Sequence, residues 1–377
     1  MIKVLLIGNG FDLAHGLPTG FNHFAEYYKK EILFKELVRM AKEDTELQPN
    51  NFLLTIYNIF DRREYRAKGF SNRYSLRDIA LLKGGIGYEV FEQNFTHFIN
   101  YLSNTFLSIL YLEQKENWFD IEGTLFKCLL SIKNRHYKQK DKYYLPSIQT
   151  LNKEFESIKN AVHAYLKNVT KDILSIAEFE VFLEELRSLG RARNGEFAII
   201  NFNYTDTILR YDFLGKAKYD YYPIHGKLDS EIIFGYGSDK DMAYEEIKNI
   251  GKDEFLEHFK THKYLHDSIY QSMYSDLING IDDYVVHVLG HSLGMTDKTL
   301  LQELFSSSNC KGILLYKRLD KYNPDIKKGQ VQLEVQREFT KLTMAASRII
   351  SDEMARVKIK NLKDSIYFPK QPGEEYF

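Results

Sequence analysis

The sequence predicts an α/β protein with a parallel sheet, and two observations lead to that prediction. Short apolar runs rich in β-branched and aromatic residues lie near both ends of the chain, which is typical of strands buried on both faces of a parallel sheet. The stretch between them is long, charged and rich in Tyr and Phe, and its apolar residues recur at intervals of three and four, as in helices. We therefore expect a Rossmann-like core at residues 1–30 plus 195–377, interrupted by a large helical insertion at 31–194.

Five apolar runs are expected to form the strands of this sheet. The first run stops at a Gly-Asn-Gly turn, where the backbone must change direction sharply. The other four are equally short and nearly continuous in hydrophobicity, so the same interpretation applies to each of them. The runs are residues 2–7, 197–202, 232–234, 284–289 and 312–316.

Composition and charge narrow the class of protein. The chain has 377 residues, of which 44% are hydrophobic and 14% aromatic, enough for a sizeable core. Its 51 basic and 52 acidic residues nearly balance, so nothing requires nucleic acid or an anionic membrane as a partner. Only two cysteines, Cys128 and Cys310, are present, which excludes a disulfide framework and a four-cysteine zinc site. We expect a cytoplasmic protein, because the apolar N-terminus is too short for a signal peptide and no apolar run approaches about 20 residues.

The glycine turn after the first run predicts a nucleotide phosphate site. Glycines let a backbone approach a ligand closely, and a helix that begins there offers free N–H groups and partial positive charge. The G-x-G pattern lacks the third glycine of the dinucleotide fingerprint, so an ordinary dinucleotide oxidoreductase is a poor match. The competing interpretation is that the glycines serve packing alone. The residues expected to contact a ligand are Gly8, Asn9, Gly10, Phe11, Asp12, Pro18 and Thr19.

Three further polar motifs would join this turn at one edge of the sheet. Two of them directly follow the runs that end at residues 202 and 289, and the third is a His-Gly pair in a loop. Ligands of open parallel sheets bind beyond the carboxyl ends of the strands, so the four motifs would converge on one crevice. Taken singly, such residues are more often turn or N-cap residues, Asp206 especially. The candidates are Asn203, Tyr204, Asp206, His225, Gly290, His291, Ser292 and Asp297.

Two of these residues have a specific chemical interpretation. The amide of Asn203 is both donor and acceptor and can hold a sugar hydroxyl or a water molecule. The imidazole of His225 has an unperturbed pKa of about 6.5, which suits a general base near neutral pH. Neither residue is expected to be part of the core.

As an ordered set, the motifs resemble the AbiH family of bacterial phage abortive-infection proteins. The resemblance includes IGNGFDLAHGLPT, the segment from Trp118 to Glu122, NFNYTDT, IHG and LGHSLGMTD, and it spans most of the chain. It implies a phage-defence protein whose activity is gated until infection. The helices of the insertion are expected to cover or gate the crevice, and a phage-derived trigger, a partner protein or a homo-oligomer contact would act there.

More remotely, the motifs are similar to sirtuin-like NAD-binding domains. The first motif of those domains has the form G-A-G-x-S-x-x-x-G-I-P, their N-x-D motif is matched by Asn203 with Asp206 one place late, and their His-Gly pair is matched at His225. The similarity implies an NAD site in which Asn203 orients the ribose or a water and His225 is the base. The matches to the remaining glycine motifs are Gly8, Gly10, Gly16, Leu17, Pro18 and Gly290–Leu293.

The departures from the sirtuin pattern favour cleavage of NAD⁺ by water over protein deacylation. Protein deacylases of that type carry a four-cysteine zinc module, which two cysteines cannot form, so no metal is expected. Cleavage of NAD⁺ by water into nicotinamide and ADP-ribose is the simpler chemistry that remains. One alternative is a non-catalytic module that binds NAD, ADP-ribose or a signal nucleotide. The other is a nuclease, which only a basic stretch supports.

That basic stretch contains Arg62, Arg63, Arg66, Lys68, Arg73 and Arg77. A solvated surface is the preferred interpretation, because the charge of the whole chain is balanced. Trp118 is interpreted as a core anchor, and the roles of Asp120 and Glu122 stay open.

Three histidines spaced four apart form the last candidate cluster. His258, His262 and His266 would line one face of an expected helix and could bind a metal ion. A solvated helix face, with Lys260 and Lys263 interleaved, is the preferred interpretation.

Overall fold

The fold is described by a computed structural model that covers most of the chain. Nearly all of the described residues lie in helices, strands or short connections between them. The described residues are 1–43, 64, 72–82, 85–99, 102, 104–113, 118–134, 145–171, 175–188, 197–211, 214–215, 217–238, 242–316 and 328–361. The basic residues at 62, 63, 66 and 68 lie outside these ranges.

Five parallel strands form one sheet in the order β3-β2-β1-β4-β5. The strand β1 is central: it pairs with β2 from Lys3↔Phe197 onward and with β4 from Ile2↔Tyr284 onward. This is the order of doubly wound α/β sheets, in which ligands bind where the strand order reverses, beside β1. The prediction of a parallel α/β sheet is confirmed. The strands are Ile2–Ile7 (β1), Phe197–Asn201 (β2), Tyr219–Pro223 (β3), Tyr284–Leu289 (β4) and Cys310–Leu315 (β5).

Four of the five expected strands are present, and the one expected at 232–234 is wrong. That segment is a loop, although Ile232 and Phe234 are buried, because short apolar runs mark burial as well as strands. The sheet instead takes β3 at its edge. Its sequence, YDYYP, is half polar and ends in proline. An edge strand tolerates both features, but a search for apolar runs does not detect such a strand.

Helices cover both faces of the sheet, which explains why its strands are continuously apolar. Alternate residues of a strand point to opposite faces. Val4 and Leu6 belong to one core cluster with Phe305, whereas Leu5 and Ile7 belong to another with Phe179. These four side chains of β1 are at most 1% exposed, so neither face of β1 is solvated along this stretch.

Lys3 is the polar exception in the central strand. It is buried, and its Nζ donates hydrogen bonds to the carbonyl oxygens of Leu186 (2.7 Å) and Arg187 (2.9 Å). These carbonyls lie in the last turn of the helix Ala177–Ser188, where a cation is favoured by the helix dipole. Burial lowers the pKa of Lys3.

The contacts divide the chain into two compact units. One comprises Met1–Thr19 with His163–Phe377, and the other Gly20–Val162. The expected core at 1–30 plus 195–377 and insertion at 31–194 stay predictions, since compactness alone does not establish which part folds independently. The gating role of the insertion is likewise still a prediction.

The first unit contains the sheet and the helices around it. The segment Ile148–Val169 is one helix that crosses the division between the units. The other α-helices of this unit are Asn9–Ala14, Ala177–Ser188, Met242–Lys248, Lys260–Lys263, Ile269–Met273, Lys298–Ser306, Lys328–Ser347 and Asp352–Lys358. Short 3₁₀ and π segments are Thr207–Arg210, Asp253–Phe255, Met295–Asp297 and Tyr274–Ile278.

The second unit is helical throughout its described elements, and residues 31–190 contribute no strand to the described sheet. Trp118 lies against Phe21 (5.6 Å between ring centroids) and Phe24 (5.8 Å), which supports its interpretation as a packing anchor. The helices are Phe21–Tyr27, Lys35–Glu43, Leu76–Leu81, Ile86–Gln93, Phe95–Ile99, Thr105–Leu112 and Trp118–Asn134, with a π segment at Tyr28–Phe34.

Both cysteines are buried, and neither forms a disulfide bond. Across the described ranges, no helix combines the length and apolar character that crossing a membrane requires.

Candidate functional site

Three glycines bring the turns after β1 and β4 into direct backbone contact. A Cβ atom on Gly8 would lie 2.8 Å from the carbonyl oxygen of Gly290, and one on Gly10 would lie 2.7 Å from the same atom. The N–H of Gly10 donates a hydrogen bond to that oxygen at 2.8 Å. Gly290 itself has a φ of 75°, in the left-handed region that favours glycine. Packing between the two turns therefore accounts for these glycines.

This geometry changes the interpretation of the first motif. The N–H of Gly10 was expected to face a phosphate, but it already has a partner in Gly290. The helix that follows, Asn9–Ala14, is only six residues long. A branched side chain at Gly10 would disturb the turn itself, so it would report on folding rather than on a ligand contact.

Asp12 is the first buried ionisable group at this edge of the sheet. Its side chain is 1% exposed, and Oδ2 accepts a hydrogen bond from the hydroxyl of Thr205 at 2.6 Å. Its Oδ1 is buried and has no hydrogen-bond partner among the described residues. Burial raises the pKa of Asp12 to about 6, and polar contacts with Thr205, Thr207 and Asn203 oppose that rise. A buried carboxylate with an open acceptor is costly to fold and is typical of a functional position.

Asn203 ties the end of β2 to the end of β1. It is 5% exposed, and its Nδ2 donates to the carbonyl oxygen of Gly8 at 3.1 Å. Its backbone N–H donates to Oδ1 of Asn201, also at 3.1 Å. Contrary to expectation, this side chain is therefore part of the buried structure.

The neighbours of Asn203 lie nearer the surface. The ring of Tyr204 is half-buried, with its centroid 6.1 Å from that of His225, and its hydroxyl donates to the carbonyl oxygen of Ile233 at 3.3 Å. Asp206 accepts a hydrogen bond from the hydroxyl of Tyr221 at 2.6 Å, and its side chain makes no capping bond to the helical turn that it precedes.

His225 also follows a strand, because β3 ends at Pro223. Its Nδ1 lies 3.0 Å from the carbonyl oxygen of Phe202. A carbonyl oxygen can only accept, so Nδ1 carries the proton. Its Nε2 lies 3.1 Å from Oδ1 of Asp297. The side chain is 6% exposed, so His225, like Asn203, is buried where the sequence predicted a residue outside the core.

Asp297 is the centre of a buried cluster of polar side chains. Its Oδ1 accepts a hydrogen bond from Nζ of Lys260 at 2.7 Å, and its Oδ2 lies 3.7 Å from Nε2 of His291. The other ring nitrogen of His291 accepts from the N–H of Leu293 at 3.0 Å, so Nε2 is its protonated nitrogen and faces Asp297. We call Lys260, His225, His291 and Asp297 the Asp297 cluster.

The neighbours of Asp297 and His225 shift the pKa values of both groups. Burial alone would raise the pKa of Asp297, but Lys260 and His225 hold it well below its usual range. Burial and the ammonium of Lys260 lower the pKa of His225, and Asp297 opposes that effect. Burial and Lys260 favour the neutral form of His225, whereas the two oxygen acceptors that face its ring nitrogens favour the imidazolium form.

Lys260 is the residue that sequence reasoning missed. It was expected on a solvated helix face, yet its side chain is 1% exposed. The expected helix is also wrong, because only Lys260–Lys263 is helical, and His262 and His266 are exposed while His258 is buried. Among the described residues, no group of three or more His, Cys, Asp or Glu is placed to hold a metal ion. Nothing in the periodicity distinguishes Lys260 from Lys263.

The remaining candidates lie around these buried groups without joining them. Phe11 packs in the core against Phe179, at 5.2 Å between ring centroids. The carbonyl oxygen of Pro18 accepts from the hydroxyl of Tyr165 at 2.7 Å, and Thr19 is buried. Asn9 is half-buried and Ser292 is exposed.

The sheet and its polar edge define an α/β protein with a built site at the carboxyl ends of its strands. Contacts link the ends of β1, β2, β3 and β4 there. The family model for bacteriophage abortive infection AbiH matches residues 4–316, and the chain belongs to that family. The match begins in β1 and ends just after β5, so it includes all four motifs. No curated protein and no solved structure matches the chain. The similarity to sirtuin-like domains therefore rests on the sequence motifs alone.

Alanine at Gly290 is expected to destabilise the protein far more than alanine at Gly16, although both have positive φ (75° and 72°). At Gly16 a Cβ would meet no described atom within 4 Å, so the loss is backbone strain of about 1 kcal/mol. At Gly290 it would overlap the backbone nitrogen of Phe11 and lie 2.9 Å from Cα of Gly10. Thermal unfolding should show a much lower Tm, or no soluble protein, for Gly290→Ala only. Equal shifts would contradict the close contact between the turns.

Asn in place of Asp12 is expected to stabilise the protein at neutral pH. The pKa of this carboxyl is about 6 when folded, against an ordinary 3.8, so its ionised form lowers the free energy of unfolding above pH 6. The gain from Asp12→Asn should be on the order of 3 kcal/mol at pH 7.5 and should shrink towards pH 4.5. Tm measured at both values tests this, with Asp220→Asn on the exposed part of β3 as the control. A loss of stability at pH 7.5 would show that the carboxylate is satisfied.

Proposed function

We propose that this AbiH-family chain acts in phage abortive infection by hydrolysing NAD⁺ to nicotinamide and ADP-ribose on a Rossmann-like, sirtuin-like core. The observation that carries the proposal is the buried pairing of His225 with the ionised Asp297 at the carboxyl ends of a parallel sheet. Substrates of such sheets bind at this edge, where the strand order reverses.

The reaction needs one acceptor for one proton. The oxygen of water forms a bond to C1′ of the nicotinamide ribose, and the bond from C1′ to the nicotinamide nitrogen breaks. The electron pair of the broken bond stays with nicotinamide and neutralises its ring. The proton of the water must go to a base, and positive charge develops on the ribose before the new bond is complete.

His225 suits the role of that base. In the neutral imidazole the Nδ1 proton is held by the carbonyl oxygen of Phe202 and the lone pair of Nε2 faces a carboxylate oxygen, so the contact with Asp297 must open before Nε2 reaches a water. When Nε2 takes up a proton, this contact becomes a charge-assisted hydrogen bond to Asp297. The lowered pKa of His225 keeps the imidazole ready to accept that proton at neutral pH.

Asp12 and Asn203 suit the ribose. The open Oδ1 of Asp12 can accept a hydrogen bond from a hydroxyl, and the carboxylate can stabilise positive charge that develops on the sugar. Asn203 holds the carbonyl of Gly8 through Nδ2, which leaves Oδ1 to orient a ribose hydroxyl or the attacking water.

A non-catalytic module that binds NAD, ADP-ribose or a signal nucleotide is the second candidate. One observation favours it: both ring nitrogens of His225 already contact protein atoms, so proton uptake from a substrate requires the contact with Asp297 to rearrange. In either case the response must be gated, and we assign the sensor of a phage-derived trigger, or a homo-oligomer contact, to the helical region at 31–194.

Two measurements on purified protein separate these candidates. Nicotinamide release from NAD⁺ detects the hydrolase, and calorimetric titration with NAD⁺ and ADP-ribose detects binding without turnover. Because the enzyme is gated, release should also be measured in extracts of phage-challenged cells. Binding with no nicotinamide release in any condition would favour the binding module, and neither binding nor release would remove the nucleotide site.

Substitution of His225 and Asn203 should each lower NAD⁺ turnover by roughly 10²-fold or more, the usual effect of losing a general base or a positioned reactant. His225→Gln is preferred to alanine, because the buried imidazole would leave a cavity and an uncompensated Asp297. Asn203→Ala is paired with a measurement of Tm, since this side chain is also buried. The exposed His266 provides the control His266→Gln. Wild-type turnover in both variants would exclude this mechanism.

A further inference from the structure

We propose that Lys260 is a positioning residue of this site: its buried ammonium shares Oδ1 of Asp297 with His225, holds Asp297 as a carboxylate and opposes the imidazolium form of His225. The inference rests on the proposed function for its catalytic meaning. The charge relation between the three side chains does not depend on which substrate the site binds.

Contacts of both its side chain and its backbone hold Lys260 in place. Its Nζ lies 2.7 Å from Oδ1 of Asp297, and the side chain is 1% exposed. Its backbone N–H donates to the carbonyl oxygen of Tyr236 at 2.9 Å, which fixes the start of the short helix Lys260–Lys263. A Cβ on Gly237 would overlap the carbonyl oxygen of Thr296 at 2.4 Å and would also lie 3.2 Å from Cδ of Lys260, so the lysine stem packs closely against this glycine.

The side chain of Asp297 does not cap the helix that follows it. Asp297 is the N-cap residue of the helix Lys298–Ser306, and an aspartate there ordinarily accepts from the free N–H groups of the first turn. Its side chain makes no such bond. The carboxylate instead shares Oδ1 between Lys260 and His225, which indicates that the polar cluster outweighs the helix cap.

The groups that face His225 act in opposite directions. The ammonium of Lys260 and the side chain of His291 disfavour the imidazolium form, as does burial, whereas the carboxylate of Asp297 favours it. The remaining titratable neighbour is the phenol of Tyr204, whose ring centroid is 6.1 Å from that of His225 and which is neutral near pH 7. Loss of the Lys260 charge would leave Asp297 to pair with His225 alone.

The direct test is the pKa of His225 in the intact protein. Histidine ring carbons are labelled with ¹³C and titrated by NMR, and the signal of His225 among the 11 histidines is assigned from its loss in His225→Gln. Neutral replacements Lys260→Gln and Lys260→Met should raise this pKa by about one unit or more, the scale for an imidazolium beside an unopposed carboxylate. Lys260→Arg should keep the wild-type value. Lys263→Gln, on the same short helix and partly exposed, is the matched control.

An unchanged pKa of His225 in a folded neutral variant would overturn the inference. If Lys260→Gln and Lys260→Met do not fold, because Asp297 is left as an unpaired buried charge, the comparison moves to Asp297→Asn with and without Lys260→Met. No orphan carboxylate remains in that pair. The pKa of His225 should be higher in the double variant, and equal values would again overturn the inference.

The pH profile of NAD⁺ cleavage gives a second readout that a merely structural lysine would not move. In Lys260→Gln the acidic limb of the profile should shift to higher pH, while Lys260→Arg restores the wild-type profile. A shifted pKa in a protein that never releases nicotinamide would reject the proposed function and keep the role of Lys260. Cleavage of NAD⁺ with no shift of either the pKa of His225 or the acidic limb would reject the role of Lys260 and keep the proposed function.

Discussion

The polar edge of this sheet depends on how the buried carboxylate of Asp297 is compensated. An ionised carboxylate away from water costs several kcal/mol, and the cost is met only when hydrogen bonds and opposite charge surround it. Here Lys260 approaches it from a short helix, His225 from the loop after β3, and His291 from the turn after β4 that also leads to Asp297. Removal of Lys260 would leave this buried carboxylate without the opposite charge that compensates it.

The central strand supplies the second constraint. Val4, Leu5, Leu6 and Ile7 of β1 are buried, and the turn that follows this strand contacts the turn after β4 through bare backbone. The contact needs glycine at Gly8, Gly10 and Gly290, so these residues fix the distance between the two loops. Asn203 then anchors the neighbouring loop to the carbonyl of Gly8. The polar groups of the site are thus held by the protein itself, before any ligand binds.

Two carboxylates at this edge have different environments. Asp297 is paired with Lys260, whereas Asp12 is buried with one oxygen open. Stability alone would favour Asn at the second position, since burial raises the pKa of Asp12 to about 6. Retention of a destabilising charge is typical of a site where activity opposes stability. It fits a substrate with hydroxyl groups and a developing positive charge, as proposed for the ribose of NAD⁺.

The class of fold, four of the five strands and the position of the polar motifs could be predicted from the amino-acid sequence, because they follow from local hydrophobicity and turn chemistry. The sequence did not show β3, whose edge position allows polar residues, nor the helix bounds near His262. Which side chains are removed from water depends on the packing of distant segments against one another. Lys260 and Lys263 look alike in the sequence, yet one is buried against a carboxylate 37 residues away. Likewise, the glycines of the first motif predict a phosphate loop, and only the structure shows that the turn after β4 packs against them. Burial and long-range pairing depend on where distant segments meet, and no local pattern encodes that meeting.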